Sequence, residues 1–315
     1  MALHLMRLDD SDRTIWAILD KSTLFRLNID AESTADVFTY TPDELRRRQS
    51  ASPMDPDTCT ILSPITTPCR ILCQGANYAA HAREAGLYQG KPAFNLFFTK
   101  ADSSIAPPYG HITRPAHVHF LDYEIELALV VRKNCTGKQS VPKGQLQQFI
   151  GAICIANDVS ARDVQFQQGQ YHKAKSYRGF CPLGPVLCLL EQEDYARLEQ
   201  LDLELKVNGL TRQKASTADL IFKPEETVEE WSELYDLRAG DILLTGTPSG
   251  CALKVPQGMA VRLLQALAPK WAWKRFLAIQ YRRPYLQAGD QIEAHIRSSD
   301  GSLNLGTQRH SIVCL

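Results

Sequence analysis

The sequence predicts an α+β protein that is mostly β, with helices packed around a β-rich core. Strand-like runs dominate from Arg70 onward: RILCQG, FNLFFTK, YEIELALVV, GAICIAND, GPVLCLL, LDLELKVNG, DILLTGT and QIEAHI. One segment, PEETVEEWSELYDL, favours a helix instead. Pro224 suits its first turn, and Trp231, Leu234 and Leu237 recur at helical spacing.

Composition and charge exclude several classes of protein. The 315 residues include 35 Lys plus Arg and 35 Asp plus Glu, so no global field attracts nucleic acid or an anionic membrane. The start, MALHLMRLDDSDR, has acids where a signal peptide would continue its apolar run, and no stretch of about 18 apolar residues follows. We therefore expect no nucleic-acid partner, no membrane span and a soluble, cytoplasmic protein. Nine cysteines, mostly inside apolar runs, indicate reduced thiols rather than a disulfide framework.

Two composition changes divide the chain. Residues 1–67 contain two alternating runs, TIWAIL and TLFRLNI, which predict a hairpin in a small N-terminal β-rich domain. The Pro- and Ser-rich stretch ASPMDPDTCTILSPITTPC then predicts a boundary near Thr67, with a second domain over 68–315. Within it, about residues 256–285 lack acids and mix Arg and Lys with aromatic residues. This basic insertion could contact a membrane surface, a partner or an anionic substrate, or it could cover the core. We favour the interpretation that it is a cover or lid.

Three carboxylates form the first candidate site. Glu124 and Glu126 are two residues apart in a predicted strand, so their side chains share one face. Their roots lie about 6.6 Å apart, where two unit charges repel by about 2.5 kcal/mol at an effective dielectric of 20. A divalent cation relieves this repulsion, and Asp158, after the apolar run GAICIAN, supplies a third ligand. The alternative is that the two glutamates lie on a solvated strand face. The apolar run from Leu127 argues against this alternative, because it indicates a strand covered on both faces.

A possible acid–base pair precedes this site. RILCQG is followed by ANYAAHAREAG, which predicts a short helix ended by Gly86. On that helix, His81 and Glu84 are three residues apart, so the carboxylate could orient the imidazole as a base toward water. A surface helical pair is the alternative. His117 and His119 offer a second candidate ligand pair suited to zinc, although an edge strand explains them as well.

Five ordered motifs resemble the fumarylacetoacetate hydrolase family, in its acylpyruvase-like and 2-hydroxyhepta-2,4-diene-1,7-dioate isomerase-like branch. They are CQGANYAAHAREAG, LDYEIELALVV, IANDVSARDVQ, KAKSY with CPLGP, and GDILLTGTPSG, and they span roughly residues 69 to 310. The resemblance implies a mixed β-sandwich roll with peripheral helices and a small N-terminal domain. It also implies a homodimer with Mg²⁺ or Mn²⁺ in the site, and Ca²⁺ as a substitute in crystals.

The resemblance assigns roles to matching positions. It implies metal ligands at Glu124, Glu126 and Asp158, catalytic residues at His81, Glu84 and Lys175, and substrate contacts at Tyr78, Arg162, Gln165 and Thr247. Lys175 would also offset negative charge that repels an anionic substrate. The segment SYRGF departs from the family's pattern at Arg178 and Gly179, so the resemblance implies no substrate contacts at these two positions.

The implied activity is metal-dependent hydrolysis of a carbon–carbon bond in an acylpyruvate or a related dioxo acid. A cation bound to the substrate's carboxylate and oxo group stabilises enolate charge, and His81 would deliver hydroxide to the distant carbonyl. The first alternative is an oxo-acid decarboxylase of the oxaloacetate type or an enol–keto isomerase, which needs the metal but no hydroxide. The alternative of another class is a non-catalytic dimer that binds a small acid.

Overall fold

The chain is described by a computed structural model that covers residues 2–10, 13–55, 59–84, 90–255 and 269–315. Numbered along the chain, its strands are Leu3–Asp10 (β1), Arg13–Asp20 (β2), Thr23–Arg26 (β3), Thr60–Leu62 (β4), Ile71–Gly75 (β5), Leu96–Lys100 (β6), Ile105–Ala106 (β7), Tyr109–Arg114 (β8), Leu121–Asp122 (β9), Ile125–Val131 (β10), Ile150–Asn157 (β11), Ser160–Ala161 (β12), Cys181–Pro182 (β13), Leu187–Leu189 (β14), Leu201–Val207 (β15), Leu210–Ser216 (β16), Ile242–Leu244 (β17), Gln291–Ser298 (β18) and Asn304–Cys314 (β19).

The helices lie between and around these strands. The α-helices are Thr34–Val37 (α1), Pro42–Arg47 (α2), Ala79–Glu84 (α3), Arg162–Gln168 (α4), Tyr171–Lys175 (α5), Pro224–Leu234 (α6) and Pro269–Gln280 (α7). Short 3₁₀ helices span Asp102–Ser104, Leu146–Gln148, Gln192–Gln200 and Thr217–Asp219. None of the helices in the described ranges combines the length and the apolar character that crossing a bilayer requires.

A ten-stranded sheet forms the centre of the structure. Its order is β3-β2-β1-β14-β11-β10-β17-β5-β6, with β4 paired to β1. The central strands β10 and β11 are buried along their whole length. Along β10, Leu127 and Leu129 enter one hydrophobic core, whereas Ala128 and Val130 enter the other. The predicted strand covered on both faces is therefore confirmed, because alternate side chains point to opposite faces of a sheet.

A five-stranded sheet covers one face of the large sheet. Its order is β16-β15-β18-β19-β8, and its apolar side chains, such as Leu203 and Ile296, share a core with Leu127 and Leu129. The mostly β prediction is confirmed, and each of the eight strand-like runs contains a strand. Strands β1, β16 and β19 were not among the predicted runs; β16 in particular carries few apolar residues.

The N-terminal hairpin joins the large sheet. Strands β2 and β3 pair antiparallel with Leu19 opposite Leu24, which confirms the predicted hairpin. Strand β1 pairs with β14, placing Leu5 opposite Leu187, so the first strands extend the sheet of the later chain. The division at Thr67 stays a prediction.

Helix α6 confirms the one strong helical prediction, and it packs through Trp231. The Trp231 ring is buried and stacks on Phe97 of β6 with ring centroids 4.2 Å apart. Leu234 is the last residue of the helix and is 60% exposed. Leu237 is buried, but it lies beyond the helix end.

Replacing Trp231 with alanine should lower the free energy of unfolding by about 3 to 5 kcal/mol, because a large buried ring is lost and a cavity remains. Leu234→Ala, on the same helix, should change it by less than about 0.5 kcal/mol. Urea unfolding followed by circular dichroism measures both. Equal effects of the two variants would contradict the assigned packing of α6.

Candidate metal and substrate site

The candidate carboxylates meet where β10 begins and β11 ends. Because these strands are antiparallel, Ile125 lies opposite Asn157, and the Asp158 amide donates a hydrogen bond to the Glu124 carbonyl at 2.8 Å. One oxygen from each of Glu124, Glu126 and Asp158 lies within 4.8 Å of the others. The structure therefore brings together the three residues that the sequence predicted as metal ligands.

Glu126 is the carboxylate whose surroundings most favour a bound cation. It is buried, and within the described ranges no cationic side chain forms an ion pair with it. One of its oxygens accepts a hydrogen bond from the Gly246 amide at 2.7 Å. Burial, together with the charges of Asp158 and Glu124, raises the pKa of Glu126 well above its usual range. Carboxylate oxygens suit hard divalent ions, so the three acids fit Mg²⁺ or Mn²⁺.

Two buried lysines bind the other carboxylates. Lys175, at the end of α5, donates to Glu124 at 2.7 Å, to Ser160 at 2.8 Å and closely to Asp158. Lys100, at the end of β6, donates to the second oxygen of Asp158 at 2.5 Å and to the Phe180 carbonyl at 2.7 Å. Both oxygens of Asp158 are thus held by ammonium groups.

Arg162 completes the buried charge cluster. Its guanidinium group binds Glu124 closely and donates to Asp122 at 2.9 Å and to Gln165 at 3.0 Å. Burial opposes ionisation of Glu124, but Arg162 and Lys175 outweigh it and lower the pKa of Glu124. Glu124 is therefore a carboxylate in the folded protein.

The net charge of this cluster determines how it would interact with an organic anion. Four buried carboxylates face three buried cations, so the formal charge is one negative; these groups are Asp122, Glu124, Glu126, Asp158, Lys100, Arg162 and Lys175. A divalent cation changes it to one positive. Such a site attracts an organic anion rather than repelling it.

Sequence reasoning missed Asp122 and Lys100. Asp122 is fully buried and accepts hydrogen bonds from Arg162 and from the amides of Tyr123, Ala252 and Leu253. A charged residue that ends an apolar strand, as in FNLFFTK and FLDYE, was the available signal. Neither signal identifies a partner, because the partners lie far away in the sequence.

His81 lies in the site, but Glu84 has other partners. Helix α3 carries both residues, as predicted, although Gly86 is outside the described residues. Glu84 accepts a hydrogen bond from the Gly250 amide at 3.0 Å and pairs with Lys254 at 3.5 Å. Within the described ranges no hydrogen bond joins Glu84 to His81, because the Glu84 carboxylate binds Gly250 and Lys254 in the loop after β17. Burial lowers the pKa of His81, although Glu124 and Glu84 oppose this effect, so the imidazole is neutral at pH 7.

A cavity opens beside these groups. Of the residues predicted from the sequence, the ones that line it are His81, Glu124, Glu126, Arg162, Gln165, Lys175 and Thr247. Phe98, Phe166 and Leu253 add apolar walls. Asp158, Glu84 and Tyr78 do not line the cavity. The Tyr78 hydroxyl is buried without a hydrogen-bond partner in the described chain, and burial raises its pKa.

Two predicted substrate contacts already form hydrogen bonds within the protein. The Thr247 hydroxyl donates to the Ile125 carbonyl at 3.0 Å and accepts from Gln213 at 2.8 Å. The Gln165 side-chain oxygen accepts from Arg162, which leaves its NH₂ group as a donor. His117 and His119 are exposed and belong to none of the ligand groups found in the described residues.

The loop after β17 requires glycine at two positions. Gly246 and Gly250 have φ of 92° and 107°, in the region that side chains rarely adopt. A Cβ on Gly250 would also collide with the Arg212 carbonyl. The amides of these two glycines bind Glu126 and Glu84, respectively. The TGTPSG motif thus shapes a backbone that holds two site carboxylates.

The described part of the basic insertion packs near the cavity. Residues 256–268 lie outside the described chain, and α7 follows them. The Phe276 ring on α7 meets cavity-lining Phe166 edge to face, with centroids 5.2 Å apart. Gln280 donates to the Lys254 carbonyl at 2.9 Å. These contacts support the lid interpretation, which stays a prediction.

The site and the fold agree with a known family. Residues 70–313 match the fumarylacetoacetate (FAA) hydrolase C-terminal family, and the chain belongs to this family. A mitochondrial oxaloacetate tautomerase of Rattus norvegicus is 36% identical over 195 residues, which are 62% of this chain and 60% of the relative. The aligned region thus spans about three fifths of that relative's length.

Solved structures named for two different activities share the fold. A 5-carboxymethyl-2-hydroxymuconate delta-isomerase from Mycobacterium smegmatis has a TM-score of 0.72 and 26% identity, covering 100% of both chains. A fumarylacetoacetate hydrolase from Exiguobacterium antarcticum has a TM-score of 0.77 and 25% identity, covering 99% of this chain and 100% of its own. The fold is therefore common to proteins named as isomerases and as hydrolases.

Replacing Glu126 with glutamine should weaken Mn²⁺ binding by about tenfold or more, because an amide oxygen carries no charge to offset that of the ion. Glu32→Gln changes an exposed glutamate outside the cluster and should leave the affinity unchanged. Electron paramagnetic resonance of free Mn²⁺ measures the binding. Unaltered affinity in Glu126→Gln would contradict the assigned ligand set.

Proposed function

We propose that this protein catalyses keto–enol tautomerisation of a small dioxo acid of the oxaloacetate type, with Mg²⁺ or Mn²⁺ as its cofactor. This is the enol–keto isomerase alternative, which we now prefer to carbon–carbon hydrolysis. The carrying observation is the position of Glu84, whose carboxylate binds Gly250 and Lys254 rather than His81. Similarity to the rat oxaloacetate tautomerase supports the same choice.

The position of Glu84 bears on the reaction because hydrolysis and tautomerisation need different bases. Hydrolysis requires a base that removes a proton from water and directs hydroxide to a carbonyl, and a bonded carboxylate strengthens an imidazole for that step. Tautomerisation requires only proton transfer between a carbon and an oxygen of the substrate. A neutral imidazole beside the cavity is sufficient for this transfer, and His81 supplies one.

His81 would act as the single proton carrier. The neutral imidazole takes a proton from the methylene carbon between the two carbonyl groups, and the electron pair of that bond forms the enolate. The imidazolium then returns the proton to the enolate oxygen, so no atom is gained or lost overall. A divalent cation held by Glu124, Glu126 and Asp158 would stabilise the negative charge that develops on oxygen.

The remaining residues would bind and orient the substrate. The Gln165 NH₂ group is available as a donor to a substrate carboxylate, and Arg162 also lines the cavity. The three N–H groups of Lys175 are donated to Glu124, Asp158 and Ser160. Phe98 and Phe166 limit access of water to the enolate. Thr247 fixes the β10 end through Ile125, and its direct contact with substrate would require its hydroxyl to rotate.

Carbon–carbon hydrolysis stays the second candidate because the family contains it and a similar structure is named for it. It would require Glu84 to leave Gly250 and to bind His81. Oxaloacetate decarboxylation uses the same cation without any base. The three reactions give different products, so one set of assays separates them.

With Mg²⁺ or Mn²⁺ present, the protein should accelerate enol–keto conversion of oxaloacetate, followed by the loss of enol absorbance in the ultraviolet. Chelation should abolish the acceleration, and added Mn²⁺ should restore it, because the cation would stabilise the charge of the enolate. Release of pyruvate from acetylpyruvate, or of carbon dioxide from oxaloacetate, at a higher rate would replace the tautomerase proposal.

Replacing His81 with asparagine should lower kcat/KM for tautomerisation by about 100-fold or more, the usual contribution of a general base. His117→Asn removes an exposed imidazole outside the cavity and should leave kcat/KM unchanged. Retained turnover in His81→Asn would show that the proton carrier is another group. A large loss in His117→Asn would support the alternative histidine pair.

Assembly and location extend the proposal. We propose a homodimer, as the family resemblance implies, and light scattering of the purified chain measures its mass. The cytoplasmic location stays a prediction, and the rat relative is named as mitochondrial.

A further inference from the structure

A second group of potential ligands lies beside the carboxylate site. The Cys251 sulfur is 4.0 Å from His81 Nδ1 and 3.9 Å from Glu124 Oε1. One donor atom from each of the three residues lies within 4.8 Å of the others. Cys251 was not among the candidates from the sequence, because His81, Glu124 and Cys251 come from three separate segments.

We propose that His81, Glu124 and Cys251 form a second cation site, selective for Zn²⁺ or a similar thiophilic divalent ion. Imidazole nitrogen, thiolate sulfur and carboxylate oxygen are the donors that zinc prefers, whereas Mg²⁺ prefers oxygen alone. In a tetrahedral zinc site, neighbouring donors lie about 3.3 to 3.8 Å apart. The observed 3.9 and 4.0 Å separations therefore need to contract by less than about 1 Å.

Two contacts fix the position of Cys251 beside His81 and Glu124. The Gln213 amide nitrogen points at the Cys251 sulfur from 3.6 Å, so the sulfur already lies opposite a donor. The next residue, Ala252, donates its amide to Asp122 at 2.8 Å, and this contact fixes the backbone beside the cysteine.

Both sites share Glu124, which has consequences for regulation. Its Oε1 lies 3.9 Å from the Cys251 sulfur and accepts a hydrogen bond from Arg162, whereas its Oε2 accepts one from Lys175. A carboxylate can use its two oxygens for two ions, so the sites need not exclude each other. Zn²⁺ at the second site would occupy a nitrogen of His81, and the thiol proton of Cys251 would pass to solvent. Zn²⁺ would therefore inhibit any reaction in which His81 is the base.

The test measures binding rather than turnover. The protein is loaded with saturating Mg²⁺ and titrated with Co²⁺, whose bond to a thiolate gives a charge-transfer absorption band in the near ultraviolet. One Co²⁺ per chain should produce this band, and Zn²⁺ should remove it. Isothermal titration calorimetry with Zn²⁺ should give the same stoichiometry.

Variants identify the ligands. Cys251→Ser should abolish the cobalt band and weaken Zn²⁺ binding by about tenfold or more, and His81→Asn should weaken it similarly. Cys314→Ser removes an exposed thiol and should preserve both signals. Mn²⁺ binding at the carboxylates, followed by paramagnetic resonance, checks that each variant is folded.

Two results would overturn the proposal. One is an unchanged cobalt band in Cys251→Ser, and the other is Zn²⁺ that binds only by displacing Mn²⁺ from the carboxylates. Since neither readout depends on catalysis, failure of the tautomerase assay leaves this test intact.

Discussion

The structure of the site depends on the buried ion pairs around Glu124. Arg162 and Lys175 bind its two oxygens, and Lys175 also binds Asp158. Burying these groups is costly unless each finds a partner of opposite charge, and removing one partner of a buried pair costs about 3 to 5 kcal/mol. The same contacts set the positions of the carboxylates from which a cation would be held. Stability and function therefore constrain the same side chains.

The sheet supplies the geometry that the ion pairs require. Strands β10 and β11 are antiparallel neighbours, so the start of one and the end of the other meet at a single edge. Strand β17 pairs with β10 on its other side, and the loop that follows β17 returns over the site. Its two glycines with positive φ donate their amides to Glu126 and Glu84. Rigid strands thus position the three candidate cation ligands, and the loop after β17 fixes the backbone around Glu84 and Glu126.

The partners of His81 connect the two proposals. With Glu84 bound to Gly250, the imidazole has no bonded carboxylate in the described chain, and the nearest thiol is that of Cys251. This environment is suited to moving a proton on a substrate and also to binding a thiophilic ion. His81 would therefore be the base of the reaction, and its binding to zinc would inhibit that reaction.

The sequence by itself determined the mostly β class, the buried central strands, the helix at Pro224–Leu234 and the three carboxylates, because these follow from local periodicity and from ordered motifs. It assigned Glu84 to His81 from helical spacing, which takes no account of a loop more than 150 residues away. The sequence also did not identify Lys100, Asp122 and Cys251 as residues of the site. Their contacts with Asp158, Arg162 and His81 join separate segments, and only the packing of the sheet and its loops decides which buried charges and donors meet.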